Sequence, residues 1–180
     1  DSHGLEAAVE AGLVKDRASL TDWVSHVLRH GSGLIDAVAL VSAWRATDED
    51  TLDEIADLAG ALKGSAELAL ESELQGAAFA KITLAAWPSD ALARFVQRRA
   101  GKAMPHAVTV AIACAPEIPV AQAAIAYLQA FTANLVSAAV RLVPLGQTDG
   151  QLAMAALAPV VAEIAALAQI KTLDEIGTAA

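Results

Sequence analysis

Between Ile118 and Val140 the chain runs for 23 residues without a charged side chain. A helix rising about 1.5 Å per residue crosses a bilayer in such a length, so the run belongs either in a membrane or inside a helical bundle. Gln122, Gln129, Thr132, Asn134 and Ser137 dilute it, the remainder is built largely on alanine, and no second span accompanies it. Alanine adds little insertion energy, which leaves a central, wholly buried helix as the expectation.

Composition points the same way. Of 180 residues 44 are alanine and 22 leucine, and aromatics make up only 4%. That mixture favours helix and starves strands of the β-branched and aromatic residues they need. The expected fold is all-α, one domain over residues 1–180, because no repeat, low-complexity linker or Gly/Ser stretch divides the chain. Net charge is -9, which argues against a nucleic-acid partner, since phosphate binding needs a basic footprint. Cys114 is the only cysteine, so no intrachain disulfide or Cys-based zinc site can form, and the cytoplasm is the expected compartment. The opening Asp-Ser-His-Gly-Leu-Glu has no initiator Met, basic region or apolar run, and reads as a trimmed fragment without a signal peptide.

Periodicity and breakers place about nine helices. The first runs from about Ser2 to Ala11 and stops at Gly12. Ser19 is the expected cap of the second, with Asp22 three residues on and Leu20, Trp23, Val24, Val27 and Leu28 as its apolar stripe up to Gly31. Leu34 to Ala46 forms the third. In the fourth, about Asp48 to Lys63, Leu52, Ile55, Ala59 and Leu62 share one side while Asp50, Asp53, Glu54 and Asp57 fall on a solvated opposite face. Ser65 to Trp87 is a fifth helix ended by Pro88, and Ser89 caps a short basic sixth through Arg99. His106 to Ala115 is the seventh. Pro119 opens the eighth, the charge-free helix, about 36 Å long. Gln147 to Gln169 makes the ninth, kinked at Pro159.

Chemistry is sparse. His26 and His30, one helical turn apart, could offer two imidazoles to a metal, but the Glu of a His-Glu-x-x-His motif is missing and a structural or surface role is expected, with no metal site. The six acids between Asp48 and Asp57 suit a helix N-terminus and a wet face better than a cation site. Gly-x-Ser-x-Gly, Walker A and Gly-x-Gly-x-x-Gly patterns are all lacking, which disfavours hydrolase and nucleotide-binding activities. No catalytic residue is assigned. A small-ligand sensor with its pocket beside the charge-free helix, using Gln122, Gln129 and Asn134 as polar contacts, is the alternative that composition leaves open.

The sharpest segment is Val140-Arg141-Leu142-Val143-Pro144-Leu145-Gly146-Gln147-Thr148-Asp149-Gly150-Gln151, a polar turn between two apolar helices. As a connector it needs Pro144 to stop one helix, Gly146 in a positive-φ turn, Gln147 or Thr148 as cap of the next, and Asp149 in its first turn. The connector has no use for Arg141 or the glutamines.

This segment closely resembles the signature of the urease accessory protein F family. Ser2-His3-Gly4-Leu5-Glu6-Ala7-Ala8-Val9, with Gly12 after it, looks like that family's N-terminal helix, and looser similarity covers Glu67 to Gly76 and Tyr127 to Val140. The resemblance implies a helical, non-catalytic maturation factor for nickel urease. Such a factor binds the accessory protein called D or H, recruits and regulates the accessory GTPase that delivers nickel to the urease apoprotein, and forms homodimers. It implies no cofactor of the chain's own, nickel being handled by the complex. The partner-binding candidates are Ser2, His3, Gly4, Glu6, Arg141, Pro144, Gly146, Gln147, Thr148, Asp149 and Gln151. A Gly-rich aromatic stretch before Ser2 and a basic, Tyr-containing tail after Ala180, both expected of the family, are not in the sequence.

Overall fold

A computed structural model of the protein describes residues 4–177. They form ten α-helices and, among the described residues, no strand. In order these are α1 (Leu5–Glu10), α2 (Arg17–His30), α3 (Ser32–Arg45), α4 (Glu49–Ala61), α5 (Ala66–Ala86), α6 (Asp90–Arg98), α7 (His106–Cys114), α8 (Val120–Leu142), α9 (Gln147–Ala168) and α10 (Leu173–Gly177). The all-α class is as expected, with one helix more. The extra element, α10, is five residues long and buries only Leu173, too short to leave a periodic trace in the sequence.

Side-chain caps start five of the helices, α10 among them, where Thr172 Oγ1 accepts the Glu175 N–H at 3.3 Å. Asp48, Ser65 and Ser89 each accept the backbone N–H three residues on, of Thr51, Leu68 and Leu92. For α2 the cap is Asp16 rather than Ser19. The Asp16 carboxylate accepts the Ser19 N–H at 2.8 Å while Ser19 Oγ accepts the Asp16 N–H at 3.1 Å, a reciprocal box in which Ser19 is the third helical residue and Asp22 has no part. An aspartate one turn earlier outcompetes the serine because it supplies an acceptor and a negative charge at the positive helix end.

The charge-free helix is not the hub. On α8 one face is buried by Tyr127, Leu128, Phe131, Leu135, Val136 and Ala139, whereas Gln122, Ile125, Gln129, Asn134 and Ser137 are exposed. The central helix is α3, where every residue from Asp36 to Val41 is inside. It touches α2, α4, α7, α8, α9 and α10. Small residues allow this: Gly33, Ala37, Ala39 and Ala43 let neighbours approach from every side. The polar side chains of α8 instead give it an open face. Nor is α8 alone in its length and apolarity, for α9 also passes the length and composition test for a membrane-crossing helix. Packed along one another as the two are, each covers one flank of its partner. Through Pro159, α9 is continuous.

The acids of α4 are only partly a solvated face. Glu49 pairs with Arg94 at 2.8 Å, Asp53 with Arg98 at 3.1 Å and Asp57 with Arg99 at 2.6 Å, which stitches α4 to the basic α6 and the residue after it. The buried Arg99 guanidinium also donates to the Ala103 carbonyl and holds the Asp57 carboxyl below the usual carboxylate range.

Candidate functional site

Two clefts flank α8 and meet on its exposed face. The first, about 520 Å³, lies above the core between α8, α5 and α1, lined by Glu6, Glu71, His106, Tyr127, Asn134 and Arg141 among others. The second, about 470 Å³, runs along α8 and α9 past Gln129, Ser137, Arg141, Gln147, Gln151 and Met154. Ser137 and Arg141 line both.

The floor of the first cleft is a buried polar cluster. Asp36 enters the core from α3, where its carboxylate accepts from Lys63 Nζ and, at 2.8 Å, from the Tyr127 hydroxyl. The side chains of Lys63 and Asp36 are 3% and 7% exposed, and an unpaired charge at that depth would cost several kcal/mol, so the pairing is obligatory. Burial, with Asp36 adding to it, raises the Tyr127 phenol well above its ordinary pKa, and it stays a neutral donor. His106 opens α7 with its ring 5.6 Å from both Phe79 and Tyr127. Burial lowers its pKa against the opposing pull of Asp36. Its Nδ1 is buried without a hydrogen-bond partner. At the cleft wall, burial raises the Glu71 carboxyl, to which Gln75 Nε2 donates at 3.4 Å. Neither Asp36 nor Lys63 was singled out from the sequence; a lone acid in the apolar run Leu34 to Val41 was the available signal.

The rim carries the sequence candidates. Arg141 sits in the last turn of α8, exposed, its Nη1 donating to Ser137 Oγ at 3.1 Å. Gln147 and Gln151 project from the first turns of α9 and share the second cleft with Arg141. Glu6, on α1, lines the first cleft together with Arg141. Asp149 is turned elsewhere: its carboxylate accepts from Arg17 Nη1 at 3.1 Å and ties α9 to α2. Gly4 is the residue before α1, at φ 84°, a conformation suited to glycine. Ser2 and His3 lie outside the described residues.

Between the helices the turn differs from the expected one. Gly146 precedes α9 with φ -81° and ψ 167°, an extended conformation open to any residue, and no side chain caps the helix. Thr148 and Gln147 are therefore inside the first turn rather than capping it. The reversal is made at Pro144, where the Leu145 N–H reaches back to the Val143 carbonyl at 2.6 Å. The glycine that packing requires is Gly150, whose Cβ would lie 3.2 Å from Val140 on α8. Its neighbours Pro144, Gly146, Gln147 and Thr148 are exposed.

His26 and His30 are exposed on α2 with ring centroids 5.1 Å apart. Among the described residues no group of three or more His, Cys, Asp or Glu side chains could hold a metal ion. Of the polar contacts proposed for a small ligand, Gln129 and Asn134 line the clefts and Gln122 lines neither.

The UreF family profile matches residues 14–158, which takes in the turn between α8 and α9, the second cleft and the lining residues of the first apart from Glu6. The chain belongs to the urease accessory protein UreF family. A urease accessory protein UreF of Granulibacter bethesdensis is 51% identical over 160 residues, covering 87% of this chain and 67% of that protein. One from Rhodopseudomonas palustris strain BisA53 is 48% identical over 182 residues, 99% of this chain and 76% of its own length. A third, from Cereibacter sphaeroides, is 48% identical over 180 residues, 99% of this chain and 80% of its own. All three are named as accessory proteins. Family membership thus assigns the chain to urease maturation.

Proposed function

We propose that the chain is a scaffold in urease maturation, without catalysis of its own, that binds the urease accessory D/H protein and recruits and regulates the accessory GTPase delivering nickel to the urease apoprotein. One observation supports it above the rest: Glu6, Arg141, Gln147 and Gln151, far apart in sequence, gather around the open face of α8, and among the described residues Arg141 pairs with no carboxylate and donates instead to Ser137. An exposed guanidinium flanked by amides is a donor-rich surface suited to carboxylates and backbone carbonyls of a protein partner. The proposal includes a cytoplasmic homodimer. Leu70, Leu74 and Ile82 recur on one side of α5 at 57%, 62% and 66% exposure, apolar surface of the kind that a second subunit covers.

Co-purification with the D/H protein, followed by addition of the GTPase, tests the scaffold; sedimentation tests the dimer. Capture of the D/H protein and then of the GTPase is the expected result. Capture of neither by the full-length protein contradicts the scaffold, and a monomer throughout the micromolar range contradicts the dimer. The small-ligand alternative gains only if a small molecule binds saturably in the clefts.

A further inference from the structure

We propose that His26 and His30 form a two-imidazole site for a borderline divalent transition-metal cation, independent of the partner-binding reading of the α8 face. The pair lies on one side of α2, a 14-residue helix held by the Asp16 box at one end and by core residues Leu20, Val24 and Leu28 along its length. Residues four apart on a helix stand one above the other, and here the rings are 5.1 Å between centroids and tilted 49°. Both side chains are exposed, and neither ring hydrogen-bonds to another described residue. Rotation about the side-chain torsions can therefore bring one nitrogen of each to the roughly 2.0–2.1 Å that a metal–imidazole bond requires, without disturbing the fold.

The surrounding charge permits a cation. Asp22 is one turn towards the N-terminus of α2 and exposed, and Arg29 is neutralised by Glu163 of α9. His30 is the last residue of α2, where the carbonyl end of the helix carries partial negative charge. Imidazole pairs favour Ni²⁺, Cu²⁺ and Zn²⁺ over Mg²⁺ or Ca²⁺, with Cu²⁺ the tightest. Since no third protein ligand joins the two histidines among the described residues, the remaining coordination positions are filled by water or by an incoming ligand. The site is one for exchange of the metal rather than for its structural retention.

The chain has four histidines; His106 is half-buried in the first cleft with its Nδ1 inside, leaving His3 as the competitor to control. Calorimetric titration with Ni²⁺ of the full chain, of His3→Ala and of His26→Ala/His30→Ala, with a circular-dichroism melt of each, makes the test. Wild type and His3→Ala should bind Ni²⁺ saturably, and the double variant should lose that binding with its melt unchanged. Each single substitution at His26 or His30 should weaken it on the order of tenfold or more, since even disturbing an outer-shell partner costs 10–100-fold. Paramagnetic broadening by Ni²⁺ should fall on the imidazole resonances of His26 and His30. No saturable binding by the wild type, or equal binding by the folded double variant, overturns the proposal.

Discussion

The floor and the rim of the first cleft are built on opposite terms. At the floor, Lys63 and Tyr127 both bind the Asp36 carboxylate inside the core, and each bond satisfies a polar atom that would otherwise be stranded. At the rim, Arg141 donates among the described residues to Ser137, one turn back on its own helix, while Gln147 and Gln151 are exposed on α9. A residue whose contacts are all obligatory reports on stability when changed. One whose contacts are dispensable to the fold is free to meet another molecule.

The largest expected effect comes from breaking the floor. Lys63→Met strands the Asp36 carboxylate and should cost about 3–5 kcal/mol in urea unfolding, as removal of one partner of a buried pair does. Adding Asp36→Asn should recover most of that loss, because the amide still accepts from Tyr127 and carries no charge. A loss under about 1 kcal/mol for Lys63→Met would mean that the pair is open to water.

Next in size is the wall. A Cβ on Gly76 would fall 2.1 Å from the Met104 carbonyl oxygen, where the segment before α7 crosses α5. Gly76→Ala should destabilise by about 2–3 kcal/mol, since backbone must shift to admit it.

A smaller effect follows from His106. Unfolded, this imidazole takes up a proton near its ordinary pKa of about 6.5; folded, burial keeps it neutral to lower pH. Through that window the unfolded state binds more protons, so stability falls as pH drops below the ordinary value, until the folded group also titrates. His106→Gln should therefore flatten the decline, and the stability difference between wild type and variant should shift against wild type on acidification. Parallel curves from urea unfolding at neutral and acid pH would contradict the assignment.

Smallest of all is the turn. Gly146→Val, at an extended φ and with nothing within 4 Å of the new Cβ, should change the melting free energy by less than about 0.5 kcal/mol.

That last expectation reverses what the sequence suggests, and it marks where a sequence is legible. A proline and a glycine between two apolar helices announce a turn; whether the glycine or the proline makes the reversal depends on dihedral angles that neither residue determines alone. The helices were readable because Asp48, Ser65 and Ser89 cap locally and apolar stripes repeat within each element. Choosing between Asp16 and Ser19 as cap was not, since both precede the same stripe. The identity of the hub was hidden for a related reason. Charge-free length singles out α8, but centrality requires small residues on all sides, which α3 has and α8 lacks. At the site, the rim stood out as side chains that a connector does not use. The floor did not, because Asp36 and Lys63 are 27 residues apart and acquire their meaning only when α3 and the end of α4 are brought together.

The contrast between floor and rim stands or falls on Arg141 and Gln147. In the full-length protein, Arg141→Ala/Gln147→Ala should melt within the error of wild type, since both side chains are exposed and the change removes, among the described residues, one hydrogen bond to Ser137, yet capture of the urease accessory D/H protein should drop at least roughly tenfold, about 1.4 kcal/mol of binding. Undiminished capture at an unchanged melting temperature would show that the turn between α8 and α9 is a connector and nothing more.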